Sequence, residues 1–249
     1  MSKLKNKVAI ITGASKGIGA GIAKAYGAEG ASVVVNYSSD KDGADRVVNE
    51  IIANGGKAFA VQGSVAITAD VKRLFKETKD IYGQVDILVN NAGVFKFGPL
   101  ETVTEEEFHR QFNTNVLGTL LATQQAIADF GDNGGSVINI SSIISDNPMA
   151  NSVVYSATKG AVDTIAVALS KELGSKSIRV NTIAPGGIET EGTHTAGIIG
   201  SDLEKLMVSG TPLGRIGQPG DIAKVAVFLA SDDSGWVNGE RISVSGGFR

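Results

Sequence analysis

Short β-branched runs alternate with longer amphipathic stretches along almost the whole chain, and this alternation limits the fold more than any other feature. Val8–Thr12, Ser32–Tyr37, Lys57–Gln62, Asp86–Asn90, Gly135–Ser141, Ile178–Ala184 and Arg241–Val244 read as strands. Between them Ile18–Glu29, Gly43–Asn54, Ala69–Tyr82, Glu105–Ala128, Val153–Leu173 and Asp221–Ala230 carry helical patterning. Apolar strands separated by helices imply a parallel sheet covered on both faces. Right-handed crossovers then predict an α/β, doubly wound fold of about seven parallel strands. Thr104 stands as a predicted N-cap, with Glu107 three residues on to complete a capping box.

No linker, repeat or low-complexity run interrupts the pattern, so residues 1–249 are expected to form a single domain. The 32 glycines fall without period between apolar runs, as turns do. Only residues 186–220 lack a clear period; a loop of this length predicts a substrate lid, with a short helix at Asp202–Val208. A net charge of −3 and a pI near 5.5 give no footprint for nucleic acid or anionic membrane. Absence of cysteine excludes disulfides and thiolate metal sites, and His109 and His194 sit in unrelated segments, so no metal is expected. No apolar run approaches the ~18 residues of a membrane span, and the N-terminal residues lack the apolar segment of a signal peptide. A soluble cytoplasmic protein is the expectation.

Thr12-Gly13-Ala14-Ser15-Lys16-Gly17-Ile18-Gly19 follows the first strand and opens the first helix. Glycine permits the tight turn and close backbone approach, and the helix N-terminus offers free N–H groups to a pyrophosphate. The loop does not end in Gly-Lys-Ser/Thr, so it is no Walker loop. In a βαβ unit it predicts dinucleotide binding. An acid after the second strand would bond the ribose 2′-OH of NAD. Here that strand ends Tyr37-Ser38-Ser39, with no carboxylate before Asp40, and Lys16 is available for a phosphate. The set favours NADP(H), with NAD(H) possible.

Asn-Ile-Ser141-Ser142 ends the fifth strand, and Tyr155 and Lys159 follow at i and i+4 on a helix, one face. An ammonium beside a phenol is expected to lower its pKa, and a nearby hydroxyl such as that of Ser142 to hold a substrate oxygen. The trio predicts proton exchange at a carbonyl.

Over essentially its full length the chain resembles the short-chain dehydrogenase/reductase family, on four motifs in order: Thr12–Gly19; Asn90-Asn91-Ala92-Gly93; Ser142 with Tyr155 and Lys159; and Pro185-Gly186 with Thr190. The resemblance implies a Rossmann-type fold and a catalytic set of Asn115, Ser142, Tyr155 and Lys159. In it Tyr155 is the acid–base, Lys159 lowers its pKa and bonds the nicotinamide ribose, and Asn115 holds a relay water. It implies cofactor contacts from Gly13, Ser15, Lys16, Gly17, Ile18, Gly19, Tyr37, Ser38, Ser39, Asn91, Ala92 and Gly93. Pro185, Gly186, Ile188 and Thr190 are implied at the nicotinamide end. Where the family has an Asp-Val pair at the adenine, this chain has Ser64-Val65; where it often ends in Asp-Gly-Gly, this chain has Ser245-Gly246-Gly247. The family also implies a homotetramer, with Trp236 and the last strand as candidates for a subunit contact, or Trp236 as a core residue.

An acidic Asp129-Phe130-Gly131-Asp132 segment is unlike a docking site for an acidic carrier protein. The expected substrate is therefore a small carrier-free ketone or secondary alcohol. A 3-ketoacyl-carrier-protein reductase, a sugar or polyol dehydrogenase, and a non-catalytic redox sensor stand as alternatives. Ile198, Ile199, Leu203, Leu206 and Met207 give the lid an apolar set that either faces substrate or packs the lid down.

Overall fold

The computed structural model describes residues 2–248. In chain order the elements are β1 (Val8–Ile11), α1 (Gly17–Ala28), β2 (Ser32–Tyr37), α2 (Lys41–Ala53), β3 (Lys57–Gln62), α3 (Thr68–Tyr82) and β4 (Ile87–Asn90). There follow α4 (Glu105–Phe112), α5 (Gly118–Asp129), β5 (Gly135–Ile140), α6 (Val153–Leu173), β6 (Ile178–Pro185), α7 (Glu191–Thr195), α8 (Asp202–Ser209), α9 (Pro219–Ala230) and β7 (Arg241–Val244). All strand pairings are parallel, in the order β3-β2-β1-β4-β5-β6-β7. The winding reverses between β1 and β4, so a crevice opens at the C-terminal ends of those strands.

Both sheet faces are dry, as the apolar strands require. Ile11, Val33 and Val35 join Ile22, Tyr26 and Ile222 in a core under α1, α2 and α9. Ile10, Val34 and Leu88 point the other way, to Leu74, Phe75, Ala122 and Ala166 of α3, α5 and α6. Adjacent strand residues thus feed opposite cores, the period-2 consequence of the pleat.

Three local expectations are corrected. The helix expected over Glu105–Ala128 is split: α4 ends at Phe112, Asn113–Leu117 forms one π turn, and α5 begins at Gly118. The wider turn carries Asn115 inward, where it is 1% exposed, while Asn113 stays outside. The capping box at Thr104 is half formed. Thr104 Oγ1 accepts the Glu107 N–H at 3.2 Å, but the Glu107 carboxylate turns to Arg110 and Gln111. Trp236 is no core residue, being 99% exposed.

The 186–220 segment is more ordered than a bare loop. The expected helix is α8, capped by Ser201 Oγ, and α7 is an additional helix with a reciprocal Thr190–Thr193 cap. Thr, Ser and Gly mask such short helices in a sequence because they favour caps and turns equally.

Candidate active site

The glycine loop lies against the turn that follows β4. Gly13 has φ +62° and Gly17 φ +58°, left-handed conformations that glycine adopts without strain. A Cβ on Gly13 would stand 2.8 Å from Ala92 Cα, so the two backbones approach too closely for a side chain. Thr12 Oγ1 accepts the N–H groups of Asn91 and Ala92, both at 3.0 Å. Asn91 Nδ2 returns bonds to the Thr12 and Gly13 carbonyls at 2.8 and 2.9 Å. Asn91 therefore braces the loop, and Gly19 packs within α1 against Asn91; of the implied loop contacts, Gly19 does not reach the cleft.

The α1 N-terminus has no side-chain cap of its own. Its Gly17 N–H instead donates to the Glu191 carboxylate of α7 at 2.9 Å. A carboxylate seated there stands in for a phosphate oxygen and shows that this donor accepts an anion. Beside it runs a cleft of about 410 Å³, lined by Gly13, Ser15, Lys16, Gly17, Ile18, Tyr37, Ser38, Ser39, Ser64, Val65, Asn91, Ala92, Gly93 and Thr190. Asp40 also borders it, but its Oδ1 accepts the Gly43 N–H at 3.0 Å and so caps α2. Ser64 Oγ is engaged with the Ala66 N–H at 3.3 Å. The N–H at the helix start, the exposed Lys16 and the serines after β2 fit a dinucleotide lying across the switch point.

A second cavity of about 250 Å³ continues from the first through Ile18, Asn91, Gly93 and Thr190. Ser142, Tyr155, Lys159, Pro185, Gly186 and Ile188 line it, so the implied nicotinamide-end residues meet the Ser–Tyr–Lys set. Ser141 also borders the cavity, but its Oγ donates to the Lys159 carbonyl at 3.3 Å, whereas Ser142 Oγ accepts the Ile144 N–H at 3.3 Å. Asn115 lies behind the wall. Its Oδ1 accepts the Val94 N–H at 2.8 Å, and its Nδ2 donates to the Val94 carbonyl at 2.8 Å and to Thr158 Oγ1 at 3.0 Å. The π turn thus ties the segment after β4 to α6.

At Tyr155 burial acts against the electrostatic pull expected of Lys159. Lys159 is 5% exposed, and its Nζ donates to the Ile140 carbonyl at 2.8 Å. Burial lowers its pKa to about 8, against the opposing charge of Asp163. Burial also pushes Tyr155 up to about 12, with the Ser142 hydrogen bond opposing. Spacing alone gives the pair's proximity, but not the desolvation that raises the phenol and lowers the ammonium.

The walls of this second cavity escaped the sequence reading. Phe95 and Phe97 flank the Tyr155 ring at centroid distances of 5.9 and 5.8 Å. Ile144, Met149, Ile216 and Phe248 add further apolar surface. Phe95 and Phe97 carry a detectable signal, alternate aromatics just after Asn-Ala-Gly; Phe248 carries none. Of the lid's apolar set Ile198 and Met207 face the cavity, while Leu206 is 65% exposed.

A family model described as enoyl-(acyl carrier protein) reductase matches residues 13–249. An uncharacterized oxidoreductase of Methylorubrum extorquens is 56% identical over 249 residues, covering 100% of both chains. The chain belongs to the short-chain dehydrogenase/reductase family. It is an NAD(P)-dependent oxidoreductase of that family. The tetrahydroxynaphthalene reductase of Pyricularia oryzae is 37% identical, covering 99% of this chain and 90% of the relative. The crystal structure of an angucycline C-6 ketoreductase with bound NADP matches with a TM-score of 0.93 and 36% identity, covering 99% of this chain and 96% of that one. A 7α-hydroxysteroid dehydrogenase complexed with NADH and 7-oxo glycochenodeoxycholic acid matches with a TM-score of 0.95 and 37% identity, covering 99% and 96%. No helix among the described residues is long and apolar enough to cross a membrane.

Proposed function

We propose that this reductase converts an uncharged, ring-bearing ketone to its secondary alcohol, using NADPH in preference to NADH. One observation carries the substrate class: Tyr155 opens into a cavity whose lining, among the described residues, has Lys159 as its single charged side chain, and that lysine is buried. Phe95, Phe97, Phe248, Met149 and Ile144 offer nothing to a carboxylate, a phosphate or a polyol, and much to a flat apolar ring. The ketoreductase relatives act in the same direction as this reading.

Gly13, Ser15, Gly17 and Ile18 would hold the pyrophosphate, and Lys16, Ser38 and Ser39 a 2′-phosphate. Pro185, Gly186, Ile188 and Thr190 would border the nicotinamide. When bound, the dinucleotide supplies a hydride to the carbonyl carbon. The Tyr155 hydroxyl gives its proton to the carbonyl oxygen; a phenol kept protonated by burial suits an acid in the reductive direction. Ser142 Oγ donates a second hydrogen bond to that oxygen, stabilising charge as it develops. Lys159 stands behind the phenol and stabilises the phenolate left by proton transfer, and Asn115 holds Lys159's surroundings through Val94 and Thr158.

The same reading takes residues 1–249 as one catalytic domain with 186–220 as a lid, acting as a homotetramer. Phe108, Leu117, Leu120, Val153 and Val167, exposed on α4 to α6, support association.

The test is NADPH oxidation with a bicyclic aryl ketone, a short aliphatic ketone, an aldose and a 3-ketoacyl thioester. The bicyclic ketone is expected to show the highest kcat/KM. A preference for the thioester or the aldose overturns the substrate class, and no oxidation of NADPH with any of them overturns the enzyme reading.

A further inference from the structure

Arg241 sits on the edge strand β7, and nothing in its sequence surroundings marks it as functional. Its side chain nevertheless crosses to the candidate reacting set. Nη2 donates to the Ser142 carbonyl at 3.2 Å and to Ser145 Oγ at 3.0 Å. Nη1 meets Asp146 Oδ2 at 2.7 Å and donates to Ser243 Oγ at 3.0 Å. Nε donates to Asp163 Oδ2 at 2.9 Å. Every nitrogen of the guanidinium is engaged, and the side chain is only 19% exposed.

These partners belong to two separately built pieces of the site. Ser142, Ser145 and Asp146 lie on the turn that leaves β5, and Asp163 lies one helical turn beyond Lys159 on α6. Without the guanidinium the turn is held to itself by Ser145, whose N–H and Oγ both donate to the Ser142 carbonyl, at 3.1 and 2.8 Å. Those bonds fix the turn's shape; the root of the turn is tied to α6 by Ser141 Oγ on the Lys159 carbonyl and Lys159 Nζ on the Ile140 carbonyl, and the guanidinium adds a link farther along the turn. Asp163 is half-buried; its Oδ2 takes the Arg241 Nε–H, and its Oδ1 has no hydrogen-bond partner among the described residues. The planar fork of arginine can bridge a carboxylate on one side and a carbonyl and hydroxyl on the other, and a lysine cannot.

We infer that Arg241 is a positioning residue: it clamps the Ser142 turn onto α6 and so sets the separation of Ser142 from Tyr155. This rests on Ser142 and Tyr155 acting together as proposed above. Arg241 lines neither cavity. Its loss should therefore act on turnover and not on dinucleotide affinity.

The experiment compares the wild type with Arg241→Lys, Arg241→Met and Ser145→Ala, by steady-state kinetics with a bicyclic aryl ketone, NADPH binding by fluorescence, and thermal unfolding. Arg241→Lys should retain the pairing with Asp163 and a near-normal Tm, yet lose kcat on the order of 10- to 100-fold, as sub-ångström misplacement of a reacting group does. Its Kd for NADPH should stay within about twofold of wild type. Ser145→Ala, a milder change that removes one hydroxyl of the clamp, should lower kcat by about threefold with Tm lowered by only a few degrees. Restoration of kcat by Arg241→Lys, or a loss of NADPH binding in step with kcat, overturns the inference and leaves Arg241 a structural ion pair. An inactive wild type would instead overturn the proposed function, so the two failures are told apart.

Discussion

The Lys159 ammonium nitrogen lies 5.6 Å from the centroid of the Tyr155 ring and spends its hydrogen bond on the Ile140 carbonyl, at 2.8 Å. The pair is thus stacked in depth, with the phenol at the cavity and the cation beneath it. Burial there favours the protonated phenol, and under the proposed function the cation would stand within reach of the phenolate that proton transfer leaves.

Tyr155→Phe should cut kcat by roughly 10²- to 10⁴-fold, the usual contribution of a positioned proton donor. The Kd for NADPH should be little changed, because the ring's packing against Phe95 and Phe97 survives. Single-turnover kinetics beside a binding titration will show it, and near-normal turnover would remove Tyr155 from its role.

Lys159 makes stability depend on pH with a definite sign. Its folded pKa of about 8 lies below the ordinary 10.5, so the unfolded chain binds more protons between those values and stability rises with pH across that window. Below it the burden of a buried cation is fully present, at most on the order of 3 kcal/mol. Lys159→Met should therefore be inactive yet more heat-stable than wild type at neutral pH, with the difference in Tm narrowing as pH rises toward the unfolded value. A difference that widened with pH would contradict the burial argument.

Glu191 takes the Gly17 N–H that, under the proposed function, a pyrophosphate would use. Glu191→Gln removes the charge and keeps the shape, so NADPH should bind about two- to fivefold more tightly, the scale of one charge at a helix N-terminus. Isothermal titration of the wild type and the variant decides this; weaker binding would mean that Glu191 supports the site and does not occupy it.

Cofactor choice should rest on Lys16. Lys16→Ala is expected to raise KM for NADPH by about tenfold, the loss of a charge-assisted contact, and to leave KM for NADH unaltered. Equal effects on both would place Lys16 elsewhere than at the 2′-phosphate.

Phe248 closes the cavity against the lid, its ring packed over Gly210. Phe248→Ala should reduce kcat/KM for a bicyclic ketone about tenfold relative to a short aliphatic ketone, as expected from the burial of one aromatic ring. An unchanged ratio would show that the substrate does not reach this wall.

The parts of this protein that can be read from its sequence are those built by near neighbours. Alternate strand and helix periodicities determine the doubly wound sheet, because each apolar face must find a cover and parallel strands need crossovers. The Gly13–Gly19 turn and the i, i+4 spacing of Tyr155 and Lys159 are likewise local geometry. Helix ends shifted by a residue or two, and the π turn at Asn115 stayed hidden, because its cause is a partner in another segment, Val94. What only the tertiary structure decided are contacts between distant residues: Glu191 on Gly17 across 174 positions, and Arg241 on Ser142 across 99. The protonation of Tyr155 belongs with them. Its pKa is set by how much water the fold removes from around the ring, and no spacing of residues along a chain encodes that quantity.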